Sequence, residues 1–293
     1  MTPGVAQLVT LPDPAFSQAW DAIKIAEQVR TRLIAQSMLA LTVRPKVPFE
    51  VAPLHGLIVL AGDPGTGKTT LARGLASKVA AMLPGQKVNF LQVDPHALAS
   101  AALGKSQQAA TKLFEQTIPE AGMGGCAVVL LDEVETLAAD RRRMSLEANP
   151  VDVHRATDAV LAGVDLLTRK HRNILLVATT NYPQAVDPAF ISRADLVELI
   201  PAPNAEARAE IIRDTLEGLA KAWGGVTALL GHIPTFVTAS EGLDGRRLRK
   251  AIVGAAALSL DTAKDPGKVT PQQILASLQA ARRSAKEVGR EAA

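Results

Sequence analysis

The segment Gly62-Asp63-Pro64-Gly65-Thr66-Gly67-Lys68-Thr69 constrains this chain more than any other. It fits the pattern G-x-x-x-x-G-K-[ST]. It also lies where that pattern has meaning, after an apolar run, Leu57–Ala61, and at the start of a helical stretch, 68–83. The glycines let the backbone turn tightly, so that successive N–H groups point at phosphate oxygens. The helix N-terminus adds its partial positive charge. In such a loop the Lys68 ammonium reaches the β- and γ-phosphates and the Thr69 hydroxyl coordinates Mg²⁺. Residues 62–69, with Thr70 beside them, are the expected nucleotide-binding set.

A second motif lies downstream. Val128-Val129-Leu130-Leu131-Asp132-Glu133 is an apolar strand that ends in two carboxylates. A carboxylate at a buried strand tip needs compensation, and a bound Mg²⁺ supplies it. Asp132 is the expected metal holder and Glu133 the base that orients and polarises the attacking water. An apolar run ending in two acids is often only a solvated strand end; the phosphate loop upstream gives it catalytic meaning. No N-K-x-D guanine motif is present, which favours ATP over GTP.

Short apolar runs alternate with helical patterns through the first two-thirds of the chain. Strands are expected at 57–61, 88–93, 126–131, 174–179 and 196–200, and helices at 68–83, 106–118 and 152–168. Continuous apolar strands alternating with helices imply a parallel sheet covered on both faces, an α/β fold. After residue 202 the pattern becomes helical, at about 204–222, 245–262 and 271–288. The expected division is a Pro-rich arm and helix over 1–50, a large α/β domain over 51–202, and a small helical lid over 203–293.

Composition narrows the partners. With 32 Lys+Arg against 29 Asp+Glu the formal charge is +3, too small to mark a nucleic-acid binder. Aromatics are 3%, which disfavours base stacking. A single cysteine, Cys126, excludes an internal disulfide and suits a reducing compartment. The five histidines show no metal-ligand spacing. No signal peptide and no apolar run of about 18 residues is visible, so the cytoplasm is the expected location and no membrane partner is expected.

With these motifs in place the chain resembles an AAA+ ATPase. Ala178-Thr179-Thr180-Asn181 ends the fourth strand, where that superfamily carries its sensor-1 asparagine. The segment Asp187-Pro188-Ala189-Phe190-Ile191-Ser192-Arg193-Ala194-Asp195 resembles its arginine-finger segment, and Gly242-Leu243-Asp244-Gly245-Arg246-Arg247 the start of its sensor-2 helix. Within the superfamily the likeness is to the pachytene-checkpoint family, the remodelers of HORMA-domain proteins. It is carried by LLDEVETLAADR (130–141), NPVDVHRATDAVLAGVDLL (149–167), AFISRADLVELIPAPN (189–204) and GLDGRRLRKA (242–251).

The resemblance implies a P-loop fold whose five parallel strands take the order 5-1-4-3-2, flanked by helices and followed by the lid. It implies a homohexameric ring that hydrolyses ATP with Mg²⁺. Asn181 would sense the γ-phosphate and align water with Glu133. Arg193 would reach into a neighbouring subunit's site, a contribution of roughly 10³–10⁵ in finger-dependent NTPases. Arg246, or else Arg247, would contact the γ-phosphate from the lid. The short N-terminal region resembles the bacterial members, which act on HORMA proteins in cyclic-nucleotide anti-phage signalling.

Ala102 and Leu103 occupy the positions of the family's aromatic pore pair. They offer a threaded peptide far less area to grip, and the stretch also reads as a plain helix start. Arg141-Arg142-Arg143 reads equally as a second pore loop or a solvated basic run. The expected client is a HORMA-domain protein. The alternatives are an activase or remodeler of another client, and an AAA+ protein associated with nucleic acid.

Overall fold

The computed structural model describes residues 4–95, 105–140 and 150–291. By internal contact the chain divides into two units, one of Met1–Gly62 with Lys68–Ile200, the other of Asp63–Gly67 with Pro201–Ala293.

The first unit is built on a six-stranded sheet. Its strands are β1 (Val5–Leu11), β2 (Leu57–Ala61), β3 (Val88–Val93), β4 (Cys126–Leu131), β5 (Ile174–Thr180) and β6 (Leu196–Leu199), in the order β1-β3-β4-β5-β2-β6. From β3 to β6 every pairing is parallel, so the five expected strands lie in the expected order. The sheet nevertheless carries a sixth strand. Residues 5–11, read from sequence as part of an arm, pair antiparallel with β3, Leu11 opposite Val88 and Leu8 opposite Leu91. The Thr10 hydroxyl bonds Asn89 Oδ1 across the pair at 3.0 Å. The arm is thereby corrected to an edge strand.

Period-two alternation between two covered faces explains why the central strands are mostly apolar. Leu57, Val59, Leu91, Val129, Leu131 and Leu176 face one side and join one core; Ile58, Leu60, Phe90, Val128, Leu130 and Val177 face the other and join a second. Helices α1 (Pro14–Ala22), α2 (Glu27–Met38) and α3 (Lys68–Ala81) cover the second face through Phe16, Trp20, Leu33, Leu71 and Leu75. The first face is covered by α4 (Lys105–Lys112), the turns that continue it to Ala121, and α5 (Pro150–Lys170), through Leu113, Phe114, Val160 and Val164.

The N-terminal region is welded to this sheet. Asp13 caps α1 by accepting from Ala15 N at 2.9 Å, and Pro14 fits the first helical position. Phe16 meets Phe90 edge-on, ring centroids 4.9 Å apart. Beyond α2, Arg44 is fully buried; its guanidinium donates to the carbonyls of His55, Arg172 and Ile174. Burial, with Arg172 close by, pushes its pKa down to about 10, so it stays charged at neutral pH.

The second unit is helical. Its principal helices are α6 (Ala205–Ala220), α7 (Gly245–Gly254) and α8 (Pro271–Glu291). Asn204 caps α6 through Ala207 N and Asp244 caps α7 through Arg247 N. Ile212, Leu216, Phe236, Leu248 and Leu278 form its core. No described helix is long and apolar enough to cross a membrane.

Candidate nucleotide-hydrolysis site

Parallel pairing of β4 with β5 places Asp132, Glu133 and Asn181 at the same edge of the sheet. Leu131 of β4 stands opposite Ala178 of β5, so Asp132 and Glu133 leave one strand beside Thr179, Thr180 and Asn181 on the next. The phosphate loop leaves β2, and β2 pairs with β5, Ala61 opposite Thr180.

Lys68, the first residue of α3, is 5% exposed, and its ammonium donates to Gly62 O at 2.7 Å and Asn181 Oδ1 at 2.8 Å. Thr69 donates to Asp132 Oδ1 at 2.8 Å. Thus Lys68, Thr69, Asp132 and Asn181 form one connected cluster. Gly62 (φ +148) passes so close to the Ile200 carbonyl that a Cβ would collide with it. Gly65 (φ +88) leaves no room for one against the Asp244 carboxylate. Thr66 closes the turn by donating to Asp63 O at 2.9 Å. Pro64 and Gly67 complete the loop and Thr70 lies in the first turn of α3.

Glu133 has φ +52 and ψ +53, and is the one non-glycine residue with positive φ among the described residues. This left-handed turn carries its exposed carboxylate out of the strand line. A groove of about 500 Å³ opens there, lined by Ala6, Gln92, Asp94, Asp132 and Glu133 among others.

Two residues of the cluster were not singled out from sequence. Thr179 is 2% exposed, donates to Asp132 Oδ1 and accepts from Glu133 N at 3.1 Å. Glu135 accepts the Asn181 N–H at 3.1 Å, and its other oxygen is buried with no hydrogen-bond partner among the described residues. A threonine in a strand and an acid two residues past Glu133 carry no sequence signal of their own. Their roles come from the β4–β5 register.

The structure does not bring Arg193 to this cluster. Its guanidinium pairs with Asp165 of α5, Nε to Oδ1 at 2.8 Å and Nη2 to Oδ2 at 2.9 Å, and donates to Ala189 O at 2.6 Å. The two-pronged bond to Arg193 holds the Asp165 carboxyl below its ordinary value and raises the Arg193 guanidinium. Asp195 caps the start of β2, accepting from His55 N at 2.8 Å, Gly56 N at 2.6 Å and Leu57 N at 3.3 Å.

In the second unit Arg246 is exposed in the first turn of α7 and makes no ion pair among the described residues, whereas Arg247 lies 3.5 Å from Asp244. Ala102, Leu103 and Arg141-Arg142-Arg143 lie outside the described residues.

Residues 58–202 match the ATPase family associated with various cellular activities, AAA. The chain is 46% identical to CD-NTase-associated protein 6 of Pseudomonas aeruginosa over 290 residues, 98% of this chain and 95% of that one. It is 32% identical to a pachytene checkpoint protein 2 homolog of Danio rerio over 221 residues, 74% of this chain and 52% of the relative. It therefore spans about half the length of that animal protein. A chain of the solved E. coli MS115-1 HORMA:CdnC:Trip13 complex superimposes with a TM-score of 0.77 at 20% identity, covering 94% of this chain and 95% of that one. C. elegans PCH-2 superimposes with a TM-score of 0.75 at 23% identity, covering 98% and 78%. At these identities the two structures attest the fold.

Proposed function

The chain belongs to the AAA family of ATPases, in the branch shared by CD-NTase-associated protein 6 and the pachytene checkpoint proteins, and on that premise we propose that it is an ATP-driven, ring-forming remodeler that partly unfolds or disassembles a HORMA-domain protein complex in bacterial cyclic-nucleotide anti-phage signalling. The observation that carries the client is the likeness to CD-NTase-associated protein 6 across 95% of that protein's length. The E. coli complex of matching fold, whose components are named HORMA, CdnC and Trip13, supports the same reading.

The residues present fit ATP with Mg²⁺. The Thr69 hydroxyl and the Asp132 carboxylate meet at 2.8 Å, a pair of hard oxygen donors of the kind Mg²⁺ accepts. When bound, Mg²⁺ supplies charge neutralisation at the β- and γ-phosphate oxygens. Lys68 adds a buried cation that hydrogen bonds already orient. Glu133 takes the proton of the attacking water, and Asn181, held through its backbone by Glu135 and through its side chain by Lys68, orients that water. Arg246 keeps the γ-phosphate assignment, since Arg247 is engaged by Asp244. Arg193 supplies transition-state charge to a second subunit of a homohexamer.

Phosphate release by the purified chain, with and without a HORMA complex from its own host, tests both levels. The Glu133→Gln variant should bind ATP, turn over at least about 100-fold more slowly, and retain the HORMA protein in a pull-down. Normal turnover in that variant would remove Glu133 from catalysis. Intact ATPase with no capture of the HORMA protein would refute the client while leaving the ATPase standing.

A further inference from the structure

Thr179 sits where β5 meets the tip of β4, and its hydroxyl both donates and accepts there. A hydroxyl has one proton to give and two lone pairs to receive. The proton goes to Asp132 Oδ1, and a lone pair takes the N–H of Glu133. Asp132 Oδ1 also accepts from Thr69, so one carboxylate oxygen is held from two sides. The Glu133 peptide is held in a left-handed conformation that side-chain-bearing residues seldom adopt, and such conformations persist only where surrounding bonds over-determine them. Thr179 makes one of those bonds. It also lies at 2% exposure near the end of β5, a central strand of the sheet, so no water takes its place as a matter of course.

We propose that Thr179 is a positioning residue for hydrolysis: its hydroxyl fixes the turn that aims the Glu133 carboxylate and sets the rotation of Asp132. The proposal rests on the ATPase reading above. It separates two duties within one cluster. Lys68 and the glycine loop are assigned to nucleotide binding, whereas the hydrogen bonds of the Thr179 hydroxyl among the described residues go to the acidic pair. Losing its hydroxyl therefore affects the chemical step more than affinity. The neighbouring Thr180 differs: its hydroxyl accepts the Tyr182 N–H at 3.1 Å and shapes only its own turn.

The test uses the full chain with Thr179→Val, which keeps the shape and loses the hydroxyl, and Thr179→Ser, which keeps the hydroxyl. In Thr179→Val, kcat should fall roughly 10- to 100-fold with Kd for a fluorescent ADP unchanged to within about threefold. Thr179→Ser should restore most of kcat. Independently of turnover, the Glu133 amide of the nucleotide-free chain should exchange its hydrogen at least about tenfold faster in Thr179→Val and stay protected in Thr179→Ser. The proposal is overturned if Thr179→Val keeps its kcat, if nucleotide affinity falls as far as kcat, if Thr179→Ser is as impaired as Thr179→Val, or if Glu133 exchange does not change. A wild-type chain that releases no phosphate overturns the ATPase reading and this inference with it; a wild-type chain that hydrolyses ATP beside an unimpaired Thr179→Val refutes the inference alone.

Discussion

Asp195→Ala is the most demanding test of how the α/β unit is held together. The Asp195 side chain is 4% exposed, and its two oxygens accept three backbone N–H groups, from His55, Gly56 and Leu57. All three donors belong to the entry of β2, the strand that runs to Gly62. Alanine leaves them with no acceptor and also removes an anion that favours the charge of buried Arg44. An orphaned buried donor costs about 1–3 kcal/mol, so three of them, allowing for partial relaxation and water entry, cost about 3–5 kcal/mol. Trp20 is buried in this unit and Trp223 lies in the other, so fluorescence in a Trp223→Phe background follows the α/β unit alone. With a urea m-value of about 2–3 kcal/mol/M for a unit of this size, the midpoint should drop by roughly 1–2 M. Asp195→Asn keeps one acceptor oxygen and turns an amide toward the remaining donors, so it should lose about half as much. A midpoint shift under about 0.3 M for Asp195→Ala would show that the carboxylate does not carry the start of β2.

Arg193→Ala should lose ATP hydrolysis while keeping nucleotide affinity, and mixing it with Lys68→Ala subunits should restore part of the activity, because each variant leaves one half of a shared site intact. No recovery in the mixture would refute the role in trans. The Asp165–Arg193 pair has its own pH signature. The carboxyl is held below its ordinary value by Arg193, so the pair's contribution is complete above about pH 4 and is lost only as pH falls through the depressed value. An NMR titration of Asp165 with a midpoint at or above the ordinary carboxylate value would contradict the geometry. At Glu133, glycine tolerates φ +52 and alanine does not. Glu133→Gly should therefore be more stable than Glu133→Ala by about 1 kcal/mol in urea unfolding, although both are expected to be inactive; equal stability would mean that the turn is unstrained.

What could be read from residue order follows from what each element needs. β2 and β4 are buried on both faces, so an uninterrupted apolar run marks them; β3 is marked despite Asn89 and Gln92, and the ends of all three agree with the structure to the residue. β1 is an edge strand with only Leu11 buried, flanked by prolines, and its partner lies some eighty residues away; nothing local distinguishes it from an arm. Arg44 sits in a short R-P-K stretch that has the composition of a linker, yet among the described residues it is the largest fully buried side chain. Its place comes from carbonyls that two separate segments present to it, His55 before β2 and Arg172 and Ile174 at the start of β5.

The same division runs through the site. That Lys68, Thr69, Asp132 and Glu133 lie near one another was legible because the glycine-rich loop and the acidic pair each follow an apolar strand of one parallel sheet. Thr179 and Glu135 were not, because their job is to hold other residues, and which residues they can reach depends on the register of β4 against β5. A shift of that register by one residue would turn Thr179 to the opposite face of the sheet, away from both Asp132 and Glu133, and leave every motif in the sequence unchanged. Assembly of this cluster therefore depends on the pairing of two strands as well as on the motif residues at their tips.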